Sequence, residues 1–459
     1  MAESPDAGAA RHVRAAPPRT PLRGRVYVAM QELRNRPLGR LMRQLEERER
    51  LSPEVFERLH LDELREILTY ARMHVPRYSS GPWKAALSSG DAGDIRQWPL
   101  LTKEMIRQSP GDLRAAPPSQ RLMKRRTSGS TGLRIEILST PEADVWGWAH
   151  RYRGLLWHGI PIGVPSLRMT HARRPLRDLV KGERCVPSLE SSASIEAALR
   201  YLQDEKPGLV TGPPSVLFHL ARHLKERGVS APLVPFARAG GEQCFDFQRR
   251  EIQARLCSRV IDSYGCNETG PLAGECPAGS LHVYADHVHL EIFAGDEPAL
   301  PGDLGEIVVT SLRNTAMPLV RYPVGDRGRL TGEPCGCGLP HPVLSDLQAR
   351  SGDVIGGADG GRHHASELVR RIGSIFAEPA SDGIRQFQVT ADGEGGWEVC
   401  LEAAPGYPDA NGGDMRRALE TRLSGIVQRF CGETRRVAVH FTTAIPRKSG
   451  KLKYLRTAA

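Results

Sequence analysis

Thr127-Ser128-Gly129-Ser130-Thr131-Gly132 stands between two strand-like runs, 121–126 and 134–138. Its two glycines let the backbone bend and come close to a ligand, and its hydroxyls and N–H groups offer donors to phosphate oxygens. Lys124, Arg125 and Arg126 precede it and add positive potential. No Gly-Lys-Ser/Thr follows, so this is not a Walker loop. A surface linker would not normally be framed by strands, and the position favours a phosphate-binding turn.

Three further motifs follow in order. Residues 262–270 read Asp-Ser-Tyr-Gly-Cys-Asn-Glu-Thr-Gly, with Ala239-Gly240-Gly241-Glu242 upstream. An aromatic followed by glycine, here Tyr264 and Gly265, lays a ring on a flat base. Glu268, three residues beyond that glycine, suits Mg²⁺, a hard cation that prefers oxygen. Arg321-Tyr322-Pro323-Val324-Gly325-Asp326 places a carboxylate just past a tight turn, where it would accept from ribose hydroxyls. Finally, Ile445-Pro446-Arg447-Lys448-Ser449-Gly450-Lys451 puts Lys451 on a Gly-Ser loop, free to swing its charge onto a carboxylate–phosphate transition state. Singly, each piece would read as a turn with solvated charges; the ordered set, from Thr127 to Lys451, is what points to nucleotide chemistry.

The 459 residues suggest two or three domains, and 40% hydrophobic residues suffice for ordinary cores. No apolar run approaches the roughly 20 residues of a membrane span, and the N-terminus lacks a secretory apolar core. Residues 1–25 read as a disordered basic tail, and a cytoplasmic protein is expected. The formal charge of +10 favours acidic partners: nucleotides, coenzyme A, an acidic carrier protein or nucleic acid. A second basic cluster, Arg173, Arg174, Arg177, Lys181 and Arg184, reads equally well as solvated surface. Nine cysteines, an odd number, argue against a disulfide framework and for reduced thiols or metal ligands. Cys276, His282, Cys335 and Cys337 make a complete tetrahedral zinc set, which with four protein ligands would be structural. It would pin the loop after Glu268 to the loop after Asp326.

The coarse pattern is mixed α/β (α+β). Residues 40–75 read as helical, 134–138, 287–293 and 305–310 as strands, and 192–203 and 215–227 as helices. The tail changes rhythm: strands at 385–390, 397–402 and 436–442 with an amphipathic helix over 414–430 make a small α+β unit. The expected division is a tail at 1–25, a large N-terminal domain at 26–350 and a smaller mobile domain at 351–459 that carries Lys451. Trp146, Trp148, Tyr152 and Trp157 have near-helical spacing and read first as core, with one or two of them as alternative lining for an aromatic acid's pocket. Arg168, Thr170 and His171 follow a short strand-like run and are candidates to face a substrate. Cys266 reads as a small packing residue.

Taken together the motifs resemble the adenylate-forming superfamily of acyl-CoA synthetases, peptide-synthetase adenylation domains and firefly luciferase. Leu64-Arg65-Glu66-Ile67-Leu68-Thr69-Tyr70-Ala71-Arg72, Val75-Pro76-Arg77-Tyr78 and Trp98-Pro99-Leu100-Leu101-Thr102-Lys103 are similar to the phenylacetate–CoA ligase-like branch. The resemblance spans about residues 40–459. It implies that Thr127, Ser128, Gly129, Ser130, Thr131 and Gly132 hold the ATP phosphates, with Gly241, Glu242, Gly265 and Asn267 also at the nucleotide. Tyr264 would stack on adenine, Glu268 bind Mg²⁺, Asp326 hold the ribose beside Arg350, and Lys451 catalyse adenylation. It implies a small acid, by resemblance aromatic, and capture of the adenylate by coenzyme A or the phosphopantetheine of an acyl carrier protein. The branch also has members with a zinc site like that read above.

The sequence departs from the family in three places. Asn267 stands where Thr or Ser is usual. The hinge position falls on Gly352, with Asp353 beside it, where the family has Asp. Residues 356–366, which normally help to present the thiol acceptor, match poorly. That last departure leaves an amine acceptor open, and the basic charge leaves open a nucleotide- or nucleic-acid-binding module without catalysis.

Overall fold

The computed structural model describes residues 19–456 except positions 35, 89–90, 92, 116–121, 127–134, 171–174, 188–190, 296, 349–353, 393–394, 408–412 and 448–451. The chain begins with helices α1 (Leu22–Leu33), α2 (Leu38–Arg48) and α3 (Pro53–His74). The stretch read as helical over 40–75 is thus two helices. Ser52 separates them: its hydroxyl accepts from the Val55 amide, and Pro53 occupies the first helical position, where a missing N–H is harmless. Leu64, Ile67, Leu68 and Ala71 form the buried stripe of α3. Two short helices, α4 (Gly81–Ser88) and α5 (Lys103–Gln108), follow around the buried Tyr78, Trp83 and Trp98.

Strands β1 (Met123–Arg126) and β2 (Glu136–Ser139) pair antiparallel and frame positions 127–134, as the sequence suggested. Helix α6 (Pro141–Leu156) is capped by Thr140. A β–α alternation follows: β3 (Ser166–Met169), α7 (Pro175–Lys181), β4 (Glu183–Val186), α8 (Ser192–Glu205), β5 (Leu209–Gly212), α9 (Pro214–Glu226), β6 (Val234–Gly240), α10 (Asp246–Arg255) and β7 (Cys257–Cys266). Helical crossovers make these strands parallel, in the order β7-β6-β5-β3-β4.

Antiparallel strands complete the twelve-stranded sheet: β8 (Gly270–Glu275), β9 (Leu281–Val283), β10 (Val288–Ala294), β11 (Glu297–Pro298), β12 (Gly305–Ser311), β13 (Tyr322–Thr331) and β14 (Val343–Gln348). The parallel and antiparallel halves meet at the β7–β8 pair. Residues 264–268 therefore sit where the sheet changes character.

The C-terminal unit comprises β15 (Val354–Gly356), β16 (Arg362–His364), α11 (Ala365–Gly373), β17 (Ile384–Ala391), β18 (Trp397–Ala403), α12 (Gly413–Cys431), β19 (Val437–Thr442) and β20 (Leu455–Arg456), with sheet order β19-β18-β17-β20. It packs on the α9–α10 face. Phe218 and Phe247 from those helices meet Phe376, Phe387 and Tyr454 in one continuous core. The buried Arg222 donates to the carbonyls of Ile384 and Asp382, each at 2.8 Å.

Candidate active site

The carboxyl ends of β3, β5, β6 and β7 open onto a cavity of about 460 Å³. Ligands in open α/β sheets bind outside those strand ends. Gly240, Gly241, Tyr264, Gly265 and Asn267 line it. Tyr264 on β7 donates its phenol to Asp326 Oδ2 on β13 at 2.8 Å, joining two motifs across 62 residues. Burial and the Asp326 carboxylate push that phenol well above its usual range. Gly325, just before Asp326, has φ +83°, a conformation that would strain any other residue. Arg321 starts this turn at φ +49° and is held there by Glu291 and by the Trp98 carbonyl.

Glu268 is half-buried, and the Tyr322 hydroxyl donates to it at 3.3 Å. No cation among the described residues lies within ion-pair distance, which leaves the carboxylate available to a hard metal ion. Asn267 and Gly265 are exposed at the same turn. Gly240 and Gly241 are required for space and shape: a Cβ on Gly240 would stand 2.5 Å from Ser263 Oγ, and Gly241 has φ +83°. Glu242 Oε2 accepts from the Ser215 amide at the start of α9, a favourable place for negative charge. Cys266 packs against Thr269, its sulfur 3.1 Å from the hydroxyl.

Thr127–Gly132, His171, Arg350, Gly352, Asp353 and Lys451 lie outside the described residues. Their flanks are nevertheless fixed. Lys124 pairs with Glu136, and Arg125 with Asp144, on and beside the strands that frame positions 127–134. Ahead of Lys451, the Ile445 amide donates to Glu402, whose other oxygen meets His219 of α9 at 2.7 Å. After it, the Tyr454 hydroxyl accepts from Gln248 of α10 at 2.8 Å and donates to Gln386. The described residues on either side, Ile445 and Tyr454, are thus linked to α9 and α10 of the large unit.

Arg168 and Thr170, two of the candidates to face a substrate, line the cavity. None of Trp146, Trp148, Tyr152 and Trp157 does. Trp146 and Tyr152 pack with Tyr27, Leu41 and Leu45, in agreement with the core reading. Lys181, allowed as solvated surface, is instead buried, pairs with Glu183 at 2.5 Å and lies over the Trp148 and Tyr152 rings. Among the lining residues that escaped the sequence reading are Arg151, Arg238 and Tyr284. Arg238 carried a signal, since it interrupts the apolar run Val234–Gly240 directly before Gly241-Glu242.

The donor atoms of Cys276, His282, Cys335 and Cys337 all lie within 4.8 Å of one another. The Cys276–Cys335 sulfur separation is 3.9 Å, close to the roughly 3.8 Å edge of a tetrahedron with 2.3 Å zinc–sulfur bonds. Nδ1 of His282 lies 2.9 Å from the His341 carbonyl, leaving Nε2, 3.2 Å from the Cys337 sulfur, for a metal. A ring N–H held by a backbone carbonyl in this way is how metal-binding histidines are commonly oriented. Hydrogen bonds from Cys337 and His282 push the Cys276 thiol down towards the thiolate. The four residues fit a closed zinc site.

No protein-family model matches the chain. Phenylacetate-coenzyme A ligase of Thermus thermophilus is 31% identical over 173 residues, covering 36% of this chain and 39% of that protein. The enzyme of the same name from Aromatoleum evansii is 24% identical over 446 residues, covering 89% and 96%. The structure of a 2-hydroxyisobutyryl-CoA ligase in its post-adenylation state superposes with TM-score 0.73 at 18% identity, covering 89% of this chain and 90% of that one. The same ligase in its thioesterification state gives 0.59. The chain is thus similar over most of its length to phenylacetate-coenzyme A ligases, and its fold is that of the adenylate-forming CoA ligase that superposes on it.

Proposed function

We propose that the protein activates a small carboxylic acid with ATP as an acyl-adenylate, releasing pyrophosphate, and passes the acyl group to a thiol. The observation that carries this is the hydrogen bond from Tyr264, which lines the cavity, to Asp326, with Glu268 held by Tyr322 a few residues beyond Tyr264. Tyr264 would lie against adenine and Asp326 accept from the ribose. Glu268 would hold Mg²⁺, which when bound neutralises charge on the phosphates. The carboxylate attacks the α-phosphorus in line, with the 127–132 loop and Lys451 stabilising the charge that accumulates. The flanking anchors at Glu402 and Tyr454 support Lys451 being presented to the large unit.

A thiol acceptor, coenzyme A or a phosphopantetheine arm, is supported by the relatives, which are coenzyme A ligases; nothing in the fold favours an amine acceptor or a non-catalytic module. Movement of the C-terminal unit between half-reactions would have to break the Phe218–Phe376 packing and the Arg222 bonds. Zinc held by Cys276, His282, Cys335 and Cys337 would be structural, tying β8 and β9 to the loop after β13. The reading is tested by acid-dependent exchange of labelled pyrophosphate into ATP, which should collapse in Lys451→Ala.

A further inference from the structure

A parallel sheet covered on both faces is normally lined by aliphatic side chains. One row of this sheet breaks that pattern. Arg168 on β3 is in register with Thr211 on β5, Thr211 with Arg238 on β6, and Arg238 with Ile261 on β7. All four line the cavity, and Arg151 of α6 lines it as well. Adjacent strands are about 4.8 Å apart, so Arg168 and Arg238 stand roughly 10 Å from each other along this row.

The carboxylates nearby are already engaged. Asp178 pairs with Arg168 at 3.0 Å, and Glu183 pairs with both Lys181 and Arg168. Asp144, closest to Arg151 along α6, is held by Arg36 and Arg125. Glu275 is held by Arg249 at 2.8 Å, and Asp262 lies 4.0 Å from the same guanidinium. Among the described residues, Arg151 and Arg238 have no carboxylate within ion-pair distance; Arg151 has only the Trp148 ring, 5.0 Å away. Burial pushes the Arg151 guanidinium down to about 10, with repulsion from Arg238 adding to it, and burial lowers Arg238 too. Glu183 acts on Arg238, and Asp144 on Arg151, only from beyond ion-pair distance, so two half-buried cations face one void without a direct partner, which is costly unless an anion joins them.

We propose that the acid activated here carries a second anionic group, a carboxylate or a phosphonate-type group, which Arg151 and Arg238 hold inside the cavity. This deepens the adenylation reading and rests on it. The second group sits on the strand row while the reacting carboxylate lies at the strand ends. Arg238 precedes Gly240 and Gly241 by two and three residues on β6, about 7–10 Å at strand rise. That spacing selects an acid with its two anions at opposite ends of a short body. Tyr264 and Tyr284 are the only aromatic side chains among the described lining residues, so the wall is built more for charge than for ring stacking. The arginines are specificity-determining residues and take no part in the bond-making at phosphorus.

The experiment is pyrophosphate exchange with size-matched pairs, phenylacetate against 4-carboxyphenylacetate and hexanoate against adipate, plus 3-phosphonopropionate, on wild type, Arg151→Met, Arg238→Met and Arg238→Lys. Calorimetric titration of adipate and 4-carboxyphenylacetate without ATP runs beside it. Sites built to bond a polar group reject analogues lacking it strongly, and the doubly charged partner should be preferred by about 100-fold or more in kcat/KM. Each Met variant should lose most of that preference through the KM for the acid, with the KM for ATP moving less than about twofold, and Lys should restore part of it. Equal or better exchange with the singly charged partners, or a preference that survives both Met variants, would overturn the proposal. If no acid supports exchange, the titration separates the two claims. Arg-dependent binding of the dianions would sink adenylation and keep the anion site, whereas binding indifferent to Arg151 and Arg238 would sink the anion site.

Discussion

Arg151 and Arg153 stand two residues apart on α6 and meet opposite surroundings. A helix turns about 100° per residue, so the two side chains leave it about 200° apart. Arg153 points into the protein and is fully paired, to Glu49 at 2.5 Å and to both oxygens of Asp286, at 2.8 and 3.0 Å, with His341 at 2.6 Å. Burial alone would raise the Asp286 carboxyl, but Arg153 and then His150 hold it far below the usual range. Arg151 points into the cavity and meets no carboxylate. The same residue type on one helix is thus a structural node on one face and a waiting cation on the other. What separates them is whether the fold itself supplies the counter-charge.

The largest effect should come from removing the paired arginine. Arg153→Met leaves Glu49 and Asp286 buried without their cation and should destabilise by about 3–5 kcal/mol, whereas Arg151→Met should change stability by about 1 kcal/mol or less. Urea unfolding of the two variants side by side checks this; equal losses would break the comparison.

The cluster of Cys276, His282, Cys335 and Cys337, proposed above to hold zinc, sharpens it. Arg153 reaches His341, whose carbonyl lies against His282, so the paired arginine supports the cysteine–histidine cluster and Arg151 does not. Zinc at 100 times its dissociation constant should stabilise by about 2.7 kcal/mol. Chelation should lower the unfolding midpoint accordingly, and metal analysis should find zinc retained in Arg151→Met and depleted in Arg153→Met.

A smaller effect follows from the histidines beside Asp286. Burial holds His287 and His289 down at about 3. The unfolded chain takes up protons below about pH 6.5 while these folded groups stay neutral, so their stability contribution is complete above that value and is lost as the pH falls towards 3. Between pH 7 and 6 the loss should be on the order of 1 kcal/mol, read as a fall in urea midpoint. A midpoint that rises over this interval would contradict the burial of these rings. Smallest of all, Tyr264→Phe removes one hydrogen bond, worth about 1 kcal/mol, and should raise the KM for ATP by less than about tenfold without touching the preference set by Arg151 and Arg238.

Much of the site was legible because its motifs are local. Tyr264, Gly265 and Glu268 occupy one strand end, and the cysteine and histidine spacing announced a four-ligand cluster that the structure draws together. Most predicted elements agree with the observed ones, among them 397–402 with β18 and 414–430 with α12. The break at Ser52-Pro53 could have been read from its cap chemistry. The arginine row could not, because it exists only across strands: Arg168, Thr211 and Arg238 are far apart in sequence and meet through parallel pairing alone. Arg151 was hidden for a related reason. The aromatic residues around it made α6 read as core, which is true of the face that carries Trp146 and not of the one that faces the cavity.

The most direct test of the central claim is acid-dependent pyrophosphate–ATP exchange by the full chain with bound zinc, run in parallel on Lys451→Ala. The account predicts exchange with at least one acid and a fall of about 100-fold or more in the variant, from loss of a charge aimed at the transition state. Exchange that proceeds undiminished in Lys451→Ala, or its absence across mono- and dianionic acids alike, would contradict it.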